Sequence, residues 1–574
     1  MNELNKVAID EIPLNEEFGI FVLEKNVTNY SEGEKSENYI FKTLSESNDN
    51  SVFSEYLQNS IIDWSSEYHF SSSRANILRP INIKRDFDVL EIGGGCGAVT
   101  RYLGETGARV VSVEGAFNRA KCIKKRCDDL ENVKVICSNI EAIKFENKFD
   151  VVTLIGVFEY TPNYSDRINP FDSALTEYKH LLKPGGALII AIENKMGLKY
   201  FAGYNEDHYL DPYVGIEDRY VEKNVRTFGR QEIINLLKRN DYKDINFLYP
   251  FPDYKLPKII FSENGLNADE FNISDLIRSC ETRHYSPAPK ANLINDNMVW
   301  KSIVQNNMTK DMSNSFLIVA KTDSCSINYI TESLAQHYTC DRYSNLNTKI
   351  DFNKVVDHIS VKKDILKSSK FKNNDLEIAN HVIENKSSQY IYGSNLHNLI
   401  MDSILSKNKA DFYSKIKKWI DYLKKNGIQE LNKSNLGLSI LNPTFYDCLP
   451  TNLIIDSNEN CHLIDEEWTF KKKITLYPVL IRYLSRFRGY PLLYFNETLF
   501  FRKFINKILK QNGIPPINNR TWKDYSKLEN EFLTQINHRN HTAPINFYRS
   551  VILLCMKLIR DFKDYIFNKS FYSH

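Results

Sequence analysis

No Cys-x-x-Cys pair occurs among the ten cysteines, which stand at 96, 122, 127, 137, 280, 325, 340, 448, 461 and 555. That spacing excludes zinc ribbons, argues against a disulfide framework, and suits buried thiols in a reducing cytosol. No run of about 18 apolar residues appears anywhere, and the opening Met1-Asn-Glu-Leu-Asn-Lys6 lacks a basic start followed by an apolar stretch. Neither a membrane span nor secretory export is expected, and the chain is assigned to the cytoplasm. Net charge is almost absent: 74 Lys and Arg against 72 Asp and Glu leave +2. A global pull toward nucleic acid is therefore missing, and polynucleotide binding is set aside.

What is present is length and a mixed composition. With 574 residues, 42% hydrophobic and 25% charged, the chain folds into several domains and has room for two active sites. Residues 1–60 are polar, with a strand-like Gly19–Leu23 and helical stretches near 34–45 and 52–63, and read as an N-terminal extension. From Phe87 the pattern becomes short β-branched runs alternating with amphipathic helices: Phe87–Ile92, Val110–Val113, Val133–Cys137, Val151–Ile155 and Ala187–Ile192. That alternation predicts an α/β domain with a doubly wound parallel sheet over residues 61–325, which Ser315–Ala320 would close. Residues 195–300, rich in Tyr, Phe and Pro, are expected on its substrate side. Strands over 329–365 followed by helices predict an α+β domain over 326–490. A helical region follows over 491–574, with Asn496 as an N-cap and Gly513 before Pro515-Pro516 as a stop.

Gly93, Gly95 and Gly97 directly follow a strand, where they let the backbone turn tightly and approach a nucleotide-like ligand. Gly93, Gly95 and Ala98 also fit the dinucleotide fingerprint, so the loop alone does not choose the cofactor. Glu91, two residues before the first glycine, is placed to face a cationic methionine portion; Glu114 ends the next strand and can accept two ribose hydroxyls; Asn139 follows the third strand, within reach of an adenine. Phe149–Tyr160 forms the fourth strand and its exit, and Leu182-Lys-Pro-Gly-Gly186 precedes the fifth. The series resembles the class I methyltransferases, which implies a seven-stranded Rossmann-like fold and S-adenosyl-L-methionine as cofactor. Upstream, Tyr68, His69, Arg74, Asn76 and Arg79 stand just before the first strand, as a lid over the cofactor or as a solvated linker.

A second constellation begins at Tyr446-Asp447-Cys-Leu-Pro-Thr-Asn452, continues through an apolar strand, and ends at His462-Leu-Ile-Asp465. Asp, Asn five residues on, a strand and a second Asp reproduce the spacing of a kinase catalytic loop and its metal-binding Asp. Asp447 would orient the attacking hydroxyl, with Asn452 and Asp465 on Mg²⁺. The Leu-Pro-x-Asn form resembles small-molecule kinases related to aminoglycoside phosphotransferases. Their ATP lysine would be Lys363, with Lys362 as the alternative and Glu377 or Glu384 as its partner; alternation with Ile359 and Val361 favours Lys363. Phe445 replaces the usual His, and no glycine-rich loop precedes Lys363. A kinase-like fold kept only for binding is the alternative.

Ile192–Tyr200, Glu206-Asp207-His208, Gly215-Ile-Glu217, Arg226-Thr-Phe228 and Tyr249–Pro257 resemble the methyltransferases of bacterial surface-polysaccharide clusters. Within that group, the chain resembles bifunctional kinase–methyltransferases that terminate O-antigen chains. The resemblance implies phosphorylation of a terminal sugar on a lipid-linked glycan acceptor, then methylation of that phosphate. A phosphate oxygen is anionic near pH 7 and needs positioning, not a base. Cations are then expected on the acceptor side, with Arg79, Lys195, Lys199, Arg226 and Arg74 as candidates; His69 or His208 is the base if the acceptor is a hydroxyl. Two rivals are a sugar O-methyltransferase with a binding-only second domain, and a non-catalytic length regulator that recruits a polymerising glycosyltransferase. The C-terminal helix around Val551, Cys555, Leu558, Phe562 and Ile566 has an apolar stripe suited to a membrane surface at the inner face of the inner membrane, to a second subunit, or to its own domain.

Overall fold

A computed structural model of the chain describes residues 6–23, 33–221, 224–280, 294–323, 327–366, 376–383, 387–487, 495 and 501–537. The chain forms two compact units: residues 1–367 with 385–390, and residues 368–384 with 391–574.

The first unit is built on one mixed sheet of fourteen strands among the described residues. Its parallel heart runs Leu182–Glu193, Phe149–Ile155, Asp88–Ile92, Arg109–Glu114, Val133–Cys137. Ser315–Lys321 does not close the sheet at an edge, as expected; it inserts antiparallel between Leu182–Glu193 and Ile245–Phe251. The sheet then continues, antiparallel, through Ile259–Ser262, Ala335–Thr339, Thr348–Val355 and His358–Ile365. The division expected near residue 325 is thereby corrected, because the strands over 335–365 find their hydrogen-bond partners in the first unit's own sheet. At the other edge Ile20–Val22 pairs parallel with Val133–Cys137, so part of the N-terminal extension belongs to the sheet.

Side chains alternate between two packed faces, as the period of a strand requires. Leu90, Ile92, Val152, Leu154, Leu188 and Ile190 pack in one cluster, and Val89, Val110, Val151, Ala187, Ile189 and Leu317 in the other. Burial on both faces is why these runs read as continuous apolar stretches. The parallel strands all leave the sheet on one side, where their loops meet.

The second unit is largely helical: Leu396–Leu405, Lys409–Tyr422, Leu476–Leu484, Phe501–Gln511 and Asn519–Ile536. Two small three-stranded sheets accompany them, Ser394–Asn395 with Leu453–Ile455 and Cys461–Leu463, and Ile428–Glu430 with Ile440–Leu441 and Ile474–Thr475. A further pair joins Ala379–His381 to Trp468–Phe470. Gly513, at φ +70°, follows the helix ending at Gln511, as its position before two prolines implied. Asn496, Glu384 and the apolar stripe from Val551 lie outside the described residues. No described helix is long and apolar enough to cross a membrane.

Candidate active site

At the exits of the parallel strands lies a cavity of about 410 Å³, lined among others by Tyr68, His69, Gly93, Gly95, Glu114 and Asn139. Gly93 and Gly95 take φ +77° and +57°, in the left-handed region that favours glycine. A Cβ on Gly93 would lie 2.4 Å from Val157 Cγ2, whereas the nearest atom to one on Gly95 is His69 Cε1 at 3.9 Å. Gly97, at φ +83°, begins the helix Ala98–Glu105 and packs against Ile123, so it shapes the loop without lining the cavity.

Glu114 closes the loop from the neighbouring strand, accepting from Gly95 N–H at 2.8 Å and Ala116 N–H at 2.9 Å. Burial raises its pKa. It still lines the cavity, and a carboxylate has lone pairs beyond the two those amides use. Glu91 differs from its expected role. It sits under the loop, where it accepts from Thr100 Oγ1 at 2.5 Å and Ser112 Oγ at 2.7 Å, and burial pushes its pKa up to about 6. Asn139 also differs: its side chain accepts from Glu141 N–H and donates to the Tyr164 carbonyl, so it holds the cavity wall and its amide is already engaged.

The segment before the first strand does cover the loop. Tyr68 and His69 line the cavity, while Arg74, itself buried, stacks on Tyr68 at 4.5 Å and donates to the Tyr254 and Lys255 carbonyls at 3.1 Å. Asn76 adds a hydrogen bond to the Pro257 carbonyl. Arg74 is thus a prop for Tyr68, not a wall of the cavity. His69 is buried, and its imidazole meets the Cys96 thiol.

The expected acceptor cations are each engaged elsewhere. Arg79 donates to Asn76 and lies over the Phe53 and Tyr102 rings. Lys195 pairs with Glu232 at 2.8 Å and Asp218 at 3.3 Å, and Arg226 with Asp218 at 3.2 Å. Lys199, buried, pairs with Asp207 at 2.5 Å. His208 is not a poised base. Against the burial that opposes its charge, Glu206 and Glu193 hold it protonated, with a pKa up to about 9. Sequence reasoning passed over Arg119, Ser138, Tyr160, Asn163, Tyr164 and Asn224 of the cavity wall; Tyr160 alone carried a signal, at the exit of the fourth strand.

In the second unit two of the three polar residues of the kinase-like spacing, Asp447 and Asn452, touch. Asn452 donates to Asp447 Oδ2 at 3.0 Å, and the backbone pairing that seats Ile464 N–H on the Asn452 carbonyl brings Asp465 to the same end of the hairpin. Arg482 pairs with Asp447 at 2.7 Å and with Glu529 at 3.2 Å. Phe445, in place of the usual His, stacks beside Tyr422 and packs on Gly427. Asp465 takes φ +65°, uncommon for a side-chain-bearing residue. Glu377 is exposed. Lys363 lies in the first unit on the sheet face of His337, which burial together with Lys258 and Lys363 lowers to about 4, while Lys362 is exposed beside Asp364.

Residues 90–190 match the family model described as a methyltransferase domain. Over 137 residues the chain is 26% identical to (S)-coclaurine N-methyltransferase of Thalictrum flavum subsp. glaucum, covering 23% of this chain and 36% of that protein. Over 103 residues it is 25% identical to demethylmenaquinone methyltransferase of Tropheryma whipplei, covering 18% and 40%. The chain therefore spans well under half the length of these relatives. Among solved structures, phosphoethanolamine N-methyltransferase 2 of Haemonchus contortus in complex with S-adenosyl-L-methionine aligns at 19% identity and TM-score 0.27, over 44% of this chain and 52% of that one. A putative methyltransferase of Bacillus halodurans aligns at 17% and 0.26, over 44% and 100%. The first unit contains a class I S-adenosylmethionine-dependent methyltransferase domain, Rossmann-like and centred on the strands from Asp88 to Glu193.

Proposed function

We propose that this protein is a two-site enzyme modifying the non-reducing end of a bacterial surface glycan. The second unit phosphorylates the terminal sugar with ATP, and the first methylates that phosphate from S-adenosylmethionine. The observation that carries the methyl-transfer half is the cavity over the left-handed Gly93 and Gly95, with the Glu114 carboxylate at its edge. Its size falls in the range of small-ligand sites, about 300–1,000 Å³.

When bound, the cofactor supplies an electrophilic methyl carbon on a sulfonium. Gly93 and Gly95 bring backbone to the ligand where a side chain would intrude, and Glu114 accepts from ribose hydroxyls. Tyr68 and His69 exclude water from above, and Arg74 keeps Tyr68 in place. A phosphate oxygen attacks without losing a proton first, so no base is required. In the second unit Asp447, oriented by Asn452 and Arg482, would hold the sugar hydroxyl, and Asn452 and Asp465 would hold Mg²⁺ on the nucleotide.

A second reading, direct methylation of a sugar hydroxyl, is favoured by one observation: Lys195, Lys199 and Arg226 are ion-paired with acids of their own unit. Mass spectrometry of a short glycan primer incubated with S-adenosylmethionine and Mg²⁺, with and without ATP, separates the two. The expected gain is phosphate plus methyl with ATP and nothing without it. Methyl alone in both samples would make the hydroxyl the acceptor. Asp465→Ala should abolish phosphorylation and spare S-adenosylmethionine binding; unchanged phosphate transfer would remove the kinase assignment.

A further inference from the structure

Beside the cavity lies a buried carboxylate that accepts no hydrogen bond among the described residues. Glu159 follows the strand Phe149–Ile155 and is fully buried, and neither of its carboxylate oxygens accepts a hydrogen bond. Glu193 ends the adjacent parallel strand, so the two strand exits bring the carboxylates together. His208 comes from a separate loop, with Nε2 3.9 Å from Glu159 Oε1. One ligand atom from each of the three lies within 4.8 Å of the other two.

The surroundings supply a cation for the other acids. Lys255 stands 2.5 Å from Glu193 and 3.4 Å from Asp207, Lys199 stands 2.5 Å from Asp207, and His208 Nδ1 stands 2.9 Å from Glu206. Glu159 has the His208 ring at 3.9 Å as an opposite charge, too far for a hydrogen bond, and it faces Glu193 across the gap. Burying an ionised carboxylate that accepts no hydrogen bond costs several kcal/mol, which favours uptake of a proton or a metal.

The imidazole is presented as a metal ligand would be. Glu206 is itself fixed by accepting from the backbone N–H of His208 at 2.7 Å and of Tyr209 at 3.0 Å. It holds Nδ1, which turns Nε2 toward the two carboxylates. A carboxylate on the far ring nitrogen is the usual second contact of a metal-binding histidine, setting its tautomer and direction.

We propose that Glu159, Glu193 and His208 Nε2 hold one divalent first-row transition cation, with Glu206 as the positioning residue for His208. Two carboxylates and an imidazole suit Mn²⁺ or Zn²⁺. Bonds of about 2.0–2.2 Å draw the ligand atoms about 1 Å closer than they stand now, a side-chain adjustment. Binding displaces the Nε2 proton, so metal uptake releases acid. The site lies next to Tyr160, a cavity wall whose ring meets that of His208 at 5.2 Å, so the cation would tie the loop carrying His208 to both strand exits. The proposal concerns binding alone and stands whichever acceptor the methyl group reaches.

The rival occupant is a proton, since burial and Glu193 push Glu159 well above the usual carboxylate range. Full-length protein stripped with chelator and titrated with Mn²⁺ alone, free Mn²⁺ being read by electron paramagnetic resonance, decides between them. Asp465→Ala serves as the background, because residue 465 is a separate candidate metal ligand. One equivalent is expected to bind in that background and to raise the melting temperature. Glu159→Gln should weaken binding at least tenfold, and Glu206→Gln about 10–100-fold, as loss of such a supporting contact does. Absence of stoichiometric Mn²⁺ in the Asp465→Ala protein overturns the proposal in favour of the proton, whether or not Glu159→Gln folds. Equal Mn²⁺ affinity with and without Glu159→Gln overturns it too.

Discussion

Glutamine at position 91 should stabilise the first unit at neutral pH and leave it unchanged in acid. Glu91 lies buried under the glycine loop, and burial pushes its carboxyl up to about 6 despite the lowering contacts from Thr100 and Ser112. In an unfolded chain the same group titrates at about 4.3. The folded state therefore binds the proton more readily, and stability falls as pH rises from about 4.3 through about 6, then levels off. The gap of about 1.7 between these values, at about 1.4 kcal/mol for each tenfold step, makes the ionised group cost about 2 kcal/mol at pH 8. Glutamine carries no charge and keeps an oxygen for the two hydroxyls, so Glu91→Gln should recover most of that. The two compact units make a single melting curve ambiguous. Hydrogen exchange of peptides spanning Asp88–Ile92, with wild type and variant compared at the same pH, reads this unit alone. The variant should exchange about 30-fold more slowly at pH 8 and at the wild-type rate at pH 4.3. A ratio that does not change with pH, or faster exchange of the variant at pH 8, would refute the assignment of the shift to burial of this carboxylate.

Gly93→Ala puts a methyl group 2.4 Å from Val157 Cγ2 on a backbone at φ +77°. The left-handed strain of about 1–2 kcal/mol and the overpacking of about 1–3 kcal/mol should distort the loop, and isothermal titration with S-adenosylmethionine should show at least a tenfold loss of affinity. Arg74→Ala removes two hydrogen bonds from a charged donor and the support under Tyr68. A loss of about 2–4 kcal/mol by denaturant titration is expected, together with weaker cofactor binding, and Arg74→Lys should restore only part of either.

The parallel core was legible because its strands are buried on both faces and carry few polar positions to blur them; Val133–Cys137 has the same limits in sequence and structure. Order across the sheet was not legible. Ser315–Lys321 reads as a strand by itself, but its seat between two earlier strands depends on pairings with Ile190 and Phe247 that no local pattern announces. The same holds for the strands after 335, whose first partner, Ile259–Ser262, lies far upstream.

Spacing located the glycine turn at Gly93 and Gly95 and the strand end at Glu114, because motif geometry is local to a strand and its turn. It did not show where Glu91 and Asn139 point, since those directions follow from Thr100, Ser112 and Tyr164. The ion pairs of the acceptor-side cations were hidden for a related reason: Lys195 meets Glu232, and Arg226 meets Asp218, only after the loops fold. Glu159, Glu193 and His208 were all visible as letters, yet only adjacent strand exits make them neighbours.

The run of strands beyond Ser315–Lys321 decides where this polypeptide tolerates being cut. A fragment ended at 325, where composition changes, would strip the strand Ala335–Thr339 from Ile259–Ser262 and remove the buried Phe352 and Ile359. That fragment would present Ile259–Ser262 as a bare apolar ribbon with unfilled hydrogen-bond positions, an invitation to self-association. A cofactor-binding fragment that stays in solution should extend at least to Ile365.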